Sequence, residues 1–225
     1  MKFRAVFLDI DATLFDFRKS SFEALGTAFA EIGVSFTEAD MPHYEVYNNR
    51  MWEMFERGEI EKEHIYEERF RLYFAERGIE ADTAAFNRKY LYELAEGVNF
   101  MPHCAELLRV LHGRVKVFIL TNGDTYAQER RIEKSGFAPY FDGVFISEQL
   151  GCKKPEKAFY DKVFSLIGEE YRGCTLMVGD SLSSDMQGGH NAGIPTCFYG
   201  KREKADARCD YVIEDLLELP PLLGI

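Results

Sequence analysis

The chain has 225 residues, of which 46% are hydrophobic and 14% aromatic, enough to build one large or two modest domains and far from a disordered composition. Its formal charge of -11 supplies no general basic field, which argues against a nucleic-acid polymer or an anionic membrane surface as partner and leaves a small phosphorylated ligand at a local site. The five cysteines, Cys104, Cys152, Cys174, Cys197 and Cys209, are widely spaced without a CxxC pair, so they read as reduced thiols and not as a disulfide or zinc framework. With no run of 18 apolar residues and no apolar leader before the first strand-like segment, a soluble cytoplasmic protein is expected.

The first element, Ala5-Val6-Phe7-Leu8, is apolar throughout and reads as a strand buried on both faces. It breaks directly into Asp9-Ile10-Asp11-Ala12-Thr13, which puts two carboxylates at a strand tip with no basic neighbour nearer than Arg18. Residues 16–95 carry four amphipathic helical stretches near 20–32, 42–57, 61–77 and 82–95 and no convincing strand. From about residue 100, strand-like runs at 116–120, 144–146, 176–178 and 196–198 alternate with helical patterns. The expected fold is therefore α/β, a doubly wound parallel sheet built from residues 1–15 and 96–225, with a helical domain inserted at 16–95. Glycines and a proline at Gly33, Gly58, Gly78, Gly97 and Pro102 fall where helices should stop.

Ligands of such sheets bind beyond the carboxyl ends of the strands, and those ends are loaded with polar groups. After the run at 116–120 comes Thr121-Asn122-Gly123, a hydroxyl followed by a turn rich in backbone N–H groups. After 176–178 comes Gly179-Asp180-Ser181-Leu182-Ser183-Ser184-Asp185, two carboxylates flanking a turn into the next helix. Between these lies Lys153-Lys154-Pro155, with Pro155 expected at a helix start and Lys154 free to point into the crevice. Asp9, Asp11, Asp180 and Asp185 set against Lys154 leave about three uncompensated charges, and each like-charge contact costs about 4 kcal/mol at 4 Å and an effective dielectric constant near 20. Hard oxygen ligands with one lysine suit Mg²⁺, which characteristically completes its shell with waters and substrate phosphate. With the metal in place, Asp9 is a candidate nucleophile toward phosphorus and Asp11 a candidate acid and base for the leaving oxygen and for water. Thr121, Asn122 and Lys154 are the candidate phosphate contacts.

In order and spacing, Asp9-x-Asp11-x-Thr13, Thr121-Asn122, Lys154-Pro155 and Gly179-Asp180-x4-Asp185 resemble the four motifs of the haloacid dehalogenase superfamily of phosphotransferases, over nearly the whole chain. The resemblance implies a Rossmann-like core, Asp9 forming an aspartyl-phosphate, Asp11 as acid and base, Thr121 and Lys154 as phosphate anchors, and Mg²⁺ held by the acids Asp9, Asp11, Asp180 and Asp185. Asp11 favours phosphate esters, because the carbon–halogen hydrolases of the superfamily lack an acid there. By the same resemblance the insertion at 16–95 is a C1-type cap that reads the leaving group.

Segments Thr13 to Phe17, Asn49-Arg50-Met51-Trp52, Gly58-Glu59-Ile60, Glu68-Arg69-Phe70 and Gly179 to Gly189 are similar to the bacterial pyrimidine 5'-nucleotidases of this superfamily, with Ala12 and His190 departing from that branch. A nucleoside 5'-monophosphate phosphatase is expected, its leaving-group pocket formed in part by Asn48, Trp52 and Arg69. Arg69 falls on the apolar face of Ile65, Phe70 and Tyr73, where a guanidinium calls for an anion: a nucleotide, a core carboxylate, or a neighbour such as Glu68 or Glu76. Trp52 flanks the face of Tyr44, Met51 and Phe55 and serves either to stack on a base or to pack the core. A sugar-phosphate or phosphoglycolate phosphatase, or a phosphomutase, would keep the four motifs and change the cap. A phosphoacceptor signalling module would keep the acids without turnover.

Overall fold

A computed structural model describes residues 2–225, and these divide into two compact units, residues 2–17 with 99–225 and residues 18–98. The first unit holds a six-stranded sheet of β1 (Ala5–Leu8), β2 (Lys116–Thr121), β3 (Gly143–Ile146), β4 (Thr175–Gly179), β5 (Thr196–Tyr199) and β6 (Tyr211–Ile213). Every pairing is parallel, and the spatial order is β3-β2-β1-β4-β5-β6. The sheet thus winds outward from β1 in one direction through β2 and β3, then in the other through β4 to β6. The reversal between β1 and β4 opens a crevice at the carboxyl ends of those two strands.

The alternation of side chains along each strand supplies two buried faces. Val6 and Leu8 of β1 join Val117, Ile119, Leu176 and Val178 on one face, packed with Leu107, Leu108 and Leu111 of the helix at Cys104–Leu111. Ala5 and Phe7 join Phe118, Leu120 and Met177 on the other, packed with Phe159, Tyr160, Val163 and Phe164 of the helix at Lys157–Ile167. Phe7 and Phe164 lie with ring centroids 5.1 Å apart. Because both faces are covered, β1 shows the unbroken apolar run that marks it in sequence.

The helices in chain order are α1 (Phe17–Glu31), α2 (Met41–Glu56), α3 (Lys62–Arg77), α4 (Thr83–Glu96), α5 (Cys104–Leu111), α6 (Thr125–Ser135), α7 (Ser147–Leu150), α8 (Lys157–Ile167), α9 (Gln187–Ala192) and α10 (Leu219–Leu223). The first four make up the second unit, which has an aromatic interior. Phe70 lies 4.8 Å from Phe86 and 5.4 Å from Tyr90, and Phe29 lies 4.6 Å from Phe86. Asp82 caps α4 by accepting the Ala85 N–H at 3.0 Å, and Gly78 ends α3 in the left-handed region.

Two features depart from the sequence expectation. A sixth strand, Tyr211–Ile213, extends the sheet beyond β5; its three residues are too short for an alternation pattern. Pro155 lies in the turn ahead of α8, which begins two residues later at Lys157, because the Glu156 N–H is drawn back to the Lys153 carbonyl at 2.8 Å.

Candidate functional site

At the switch between β1 and β4, Asp9 leaves β1 while Asp180 follows β4, and the Asp9 N–H donates to the Val178 carbonyl at 3.0 Å, holding the two strand tips together. A helical turn over Leu182–Met186 then brings Asp185 back, capped by Ser181, whose hydroxyl accepts the Ser184 N–H at 3.1 Å. Carboxylate oxygens of Asp9, Asp180 and Asp185 lie within 4.8 Å of one another. Asp185 fits only because position 179 is glycine, since a Cβ there would sit on the Asp185 carboxylate.

Lys154 reaches into this group from the loop before α8. Its ammonium donates to Asp9 Oδ1 at 2.5 Å, Asp185 Oδ1 at 2.7 Å and the Leu120 carbonyl at 2.8 Å, so all three protons are used. Burial pulls Lys154 downward, but Asp185 and Asp9 more than offset it, and the ammonium stands above its ordinary range. Burial raises Asp9 well above the usual carboxylate range against the opposing pull of Lys154. Asp180, whose Oδ1 accepts the Thr13 hydroxyl at 3.3 Å, is pushed up to about 7 by burial and by Asp185.

Asn122 braces the same loop from both sides, donating to the Lys154 carbonyl at 2.8 Å and accepting the Lys154 N–H at 3.0 Å. Its side chain is thereby committed to positioning Lys154. Thr121, buried at the end of β2, accepts from the Gly123 N–H and from Gln128 Nε2, both at 3.0 Å.

The Asp11 carboxylate is not brought into the three-acid group. Arg131 Nη1 donates to its Oδ1 and Gln128 Nε2 to its Oδ2, each at 2.5 Å. Both partners lie on α6 and are buried. Neither belongs to the four motifs, but Gln128 and Arg131 share the buried face of α6 with Ala127 and Ile132, an unusual place for two long polar side chains and the one signal of them in the sequence. Arg131 also changes the charge balance: four carboxylates now face two buried cations, which leaves two negative charges. One divalent cation would neutralise them. The donor set is all oxygen and spans little more than the roughly 4.2 Å across an octahedral Mg²⁺ shell, so the residues fit that ion.

In the second unit, Arg69 is 2% exposed. Neither neighbouring carboxylate expected for it is its partner: Glu68 pairs with Arg71 and Glu76 accepts from Tyr47. Arg69 donates instead to the amide oxygens of Asn87 at 2.7 Å and Asn48 at 3.2 Å, with the rings of Phe70 and Tyr90 each 4.8 Å from its guanidinium carbon. Asn48 also accepts the Tyr44 hydroxyl at 3.3 Å. Trp52 is half-buried, edge-on to Phe55 at 5.8 Å, with the Lys62 ammonium 6.0 Å from its ring. A cavity of about 280 Å³ lined by Arg4, Arg114, Lys116, Tyr140 and Tyr171 lies at the opposite, amino edge of the sheet, remote from the acids.

A family model for haloacid dehalogenase-like hydrolases matches residues 3–193. Among characterised relatives, the pyrimidine 5'-nucleotidase YjjG of Escherichia coli is 34% identical over 226 residues, covering 99% of each chain. The pyrimidine 5'-nucleotidase PynA of Streptococcus pneumoniae is 36% identical over 200 residues, 88% of this chain and 84% of that one. The crystal structure of the HAD-hydrolase YfnB of Bacillus subtilis, bound to magnesium, superposes with a TM-score of 0.93 at 32% identity over the full length of both chains. Among the described residues no helix is long and apolar enough to cross a membrane.

Proposed function

The chain belongs to the haloacid dehalogenase-like hydrolase family, and from that membership we propose that it is a Mg²⁺-dependent phosphomonoester hydrolase acting on pyrimidine nucleoside 5'-monophosphates through an aspartyl-phosphate on Asp9. The observation that carries the reading is the buried Lys154 bridging Asp9 and Asp185 inside a three-acid group at the strand-order switch, with Asp11 two residues from Asp9. Asp9, Asp180 and Asp185 would hold the ion, whose charge would offset that of the phosphoryl oxygens. Lys154 donates to Oδ1 of Asp9 and holds that carboxylate in place for attack on phosphorus.

As the phosphorus–oxygen bond to the nucleoside breaks, Asp11 gives its proton to the departing alkoxide. Asp11 then takes a proton from the water that attacks the aspartyl-phosphate, releasing inorganic phosphate and restoring Asp9. Lys154, through its charge, and the Thr121 hydroxyl, through its own proton, stabilise the charge on the transferring group. Residues 18–98 serve as the cap, with Asn48, Trp52 and Arg69 shaping the part that reads the nucleoside. Arg69 acts there by holding Asn48 and Asn87 in place, and the half-buried Trp52 supplies a stacking face.

The test is phosphate release in Mg²⁺ from nucleoside monophosphates and sugar phosphates, with Asp9→Asn as blank. Selective release from pyrimidine 5'-monophosphates that Asp9→Asn abolishes is expected. Preference for a sugar phosphate would overturn the substrate, and turnover by Asp9→Asn would overturn the nucleophile.

A further inference from the structure

Asp11 receives two side chains that the four motifs do not contain. Arg131 Nη1 donates to Asp11 Oδ1 at 2.5 Å and to Gln128 Oε1 at 3.2 Å, while Gln128 Nε2 donates to Asp11 Oδ2 at 2.5 Å and to Thr121 Oγ1 at 3.0 Å. Three side chains are thus closed into one ring of hydrogen bonds, and that ring is tied to β2 through Thr121. The arrangement has little slack. Arg131 is 1% exposed, with its guanidinium carbon 5.1 Å from the centre of the Phe15 ring, and its Nε and Nη2 have no hydrogen-bond partner among the described residues.

A guanidinium with two idle donors in a buried site forgoes a good part of its hydrogen-bonding capacity. A side chain serving only to pack α6 against the β1 loop could be aliphatic at no such cost. Gln128 fits as closely: a Cβ at position 123 would sit on its amide, so Gly123 is required for Gln128 to reach Asp11 and Thr121 together.

Resting on the phosphatase reading above, we propose that Gln128 and Arg131 are positioning residues for the acid and base Asp11. They fix its carboxylate plane relative to the leaving oxygen and receive the carboxylate that forms when Asp11 hands over its proton. In that step the Asp9–phosphorus bond forms, the phosphorus–alkoxide bond breaks, and the proton of Asp11 moves to the alkoxide, so the negative charge ends on Asp11 beside Arg131. General acid catalysis contributes about 10²- to 10⁴-fold, and misplacing the acid forfeits part of that factor. The loss depends on the leaving group: a nucleoside alkoxide needs the proton, whereas p-nitrophenolate departs without it.

The experiment compares kcat/KM for uridine 5'-monophosphate and p-nitrophenyl phosphate in wild type, Arg131→Met, Arg131→Lys, Gln128→Leu and Asp11→Asn, and in Asp11→Asn combined with each of the others. Expected is a fall of about 30-fold or more on uridine 5'-monophosphate for Arg131→Met and Gln128→Leu. The fall should stay under about 5-fold on p-nitrophenyl phosphate, with partial rescue by Arg131→Lys and no further loss in the Asp11→Asn background. Equal losses on both esters, or additive losses on top of Asp11→Asn, would reduce the pair to scaffolding and overturn the proposal. If Asp11→Asn itself shows no leaving-group dependence, it is the underlying reading of Asp11 that fails. Should Arg131→Met not fold, Gln128→Leu and Arg131→Lys decide the question.

Discussion

Replacing Lys154 by methionine keeps most of the volume and removes one charge from the centre of the acid group. At 2.5 and 2.7 Å, and an effective dielectric constant of 20, each of its two ion pairs is worth about 6 kcal/mol of Coulomb energy before desolvation. Most of that is offset by the burial of the ammonium, which is 2% exposed. Breaking a buried pair by deleting one partner nevertheless costs about 3–5 kcal/mol, because the remaining carboxylates lose compensation. For a chain of this size that is a fall in Tm of about 6–20 °C. Thermal unfolding followed by circular dichroism in a chelating buffer measures it, with Mg²⁺ then added to both proteins. The variant should regain more than wild type, since the cation restores the missing charge. A fall of less than 3 °C, or the same gain from Mg²⁺ in both proteins, would refute this account of the site's electrostatics.

Gly179→Ala should destabilise the sheet by about 1–3 kcal/mol and lower phosphate release at least about 10-fold, because the new Cβ must displace the Asp185 carboxylate; wild-type turnover would refute it. In the helical unit, Asp40 accepts from the Thr37 N–H at 2.9 Å, the Thr37 hydroxyl at 2.7 Å and Arg77 at 2.6 Å, and the Thr37 hydroxyl foremost holds its carboxyl below the ordinary range. Its stabilisation is therefore present above the unfolded value of about 3.8 and disappears as pH falls through the lower folded value. Asp40→Asn should cost about 1 kcal/mol at pH 7, with Arg77 half open to solvent, and progressively less as pH falls below about 3.8; a pH-independent difference in urea unfolding would count against it. Burial pushes the Cys104 and Cys197 thiols up to about 12, so iodoacetamide at pH 8 should spare both in the folded protein, and labelling of either, read by mass spectrometry, would contradict the fold around them.

The strands were legible where both faces are covered, since burial forces runs such as Ala5 to Leu8 to be apolar throughout. Tyr211–Ile213 was hidden by its length. In the site, Asp9, Asp180, Asp185 and Lys154 could be read because each sits at a strand end or a turn, where chain order and sheet topology dictate neighbours. Gln128 and Arg131 could not, because their meeting with Asp11 spans 117 and 120 residues and comes from a helix face, where periodicity shows only which side is inward. The same limit hid the partner of Arg69. Helical periodicity placed it inside the apolar face, but only the packing of α2 and α4 around α3 brings two amide oxygens to it in place of a carboxylate.

The insertion of residues 18–98 leaves and re-enters the sheet unit at one place, where the Asp16 N–H donates to the Asn99 carbonyl at 2.9 Å and Phe15 meets Phe100 with ring centroids 5.6 Å apart. That clasp bears on how the chain finds its fold. Pairing β1 with β2 joins Leu8 to Ile119, a closure whose entropy, for a flexible loop of about 100 residues, is roughly 4 kcal/mol beyond the constant term. Once the four helices have gathered through contacts local in sequence, the ends of their segment already lie side by side. The loop that remains is then little more than the residues flanking the clasp. The four helices are therefore expected to speed the assembly of the sheet, and a version with 18–98 replaced by a flexible linker of equal length should fold more slowly than the intact chain.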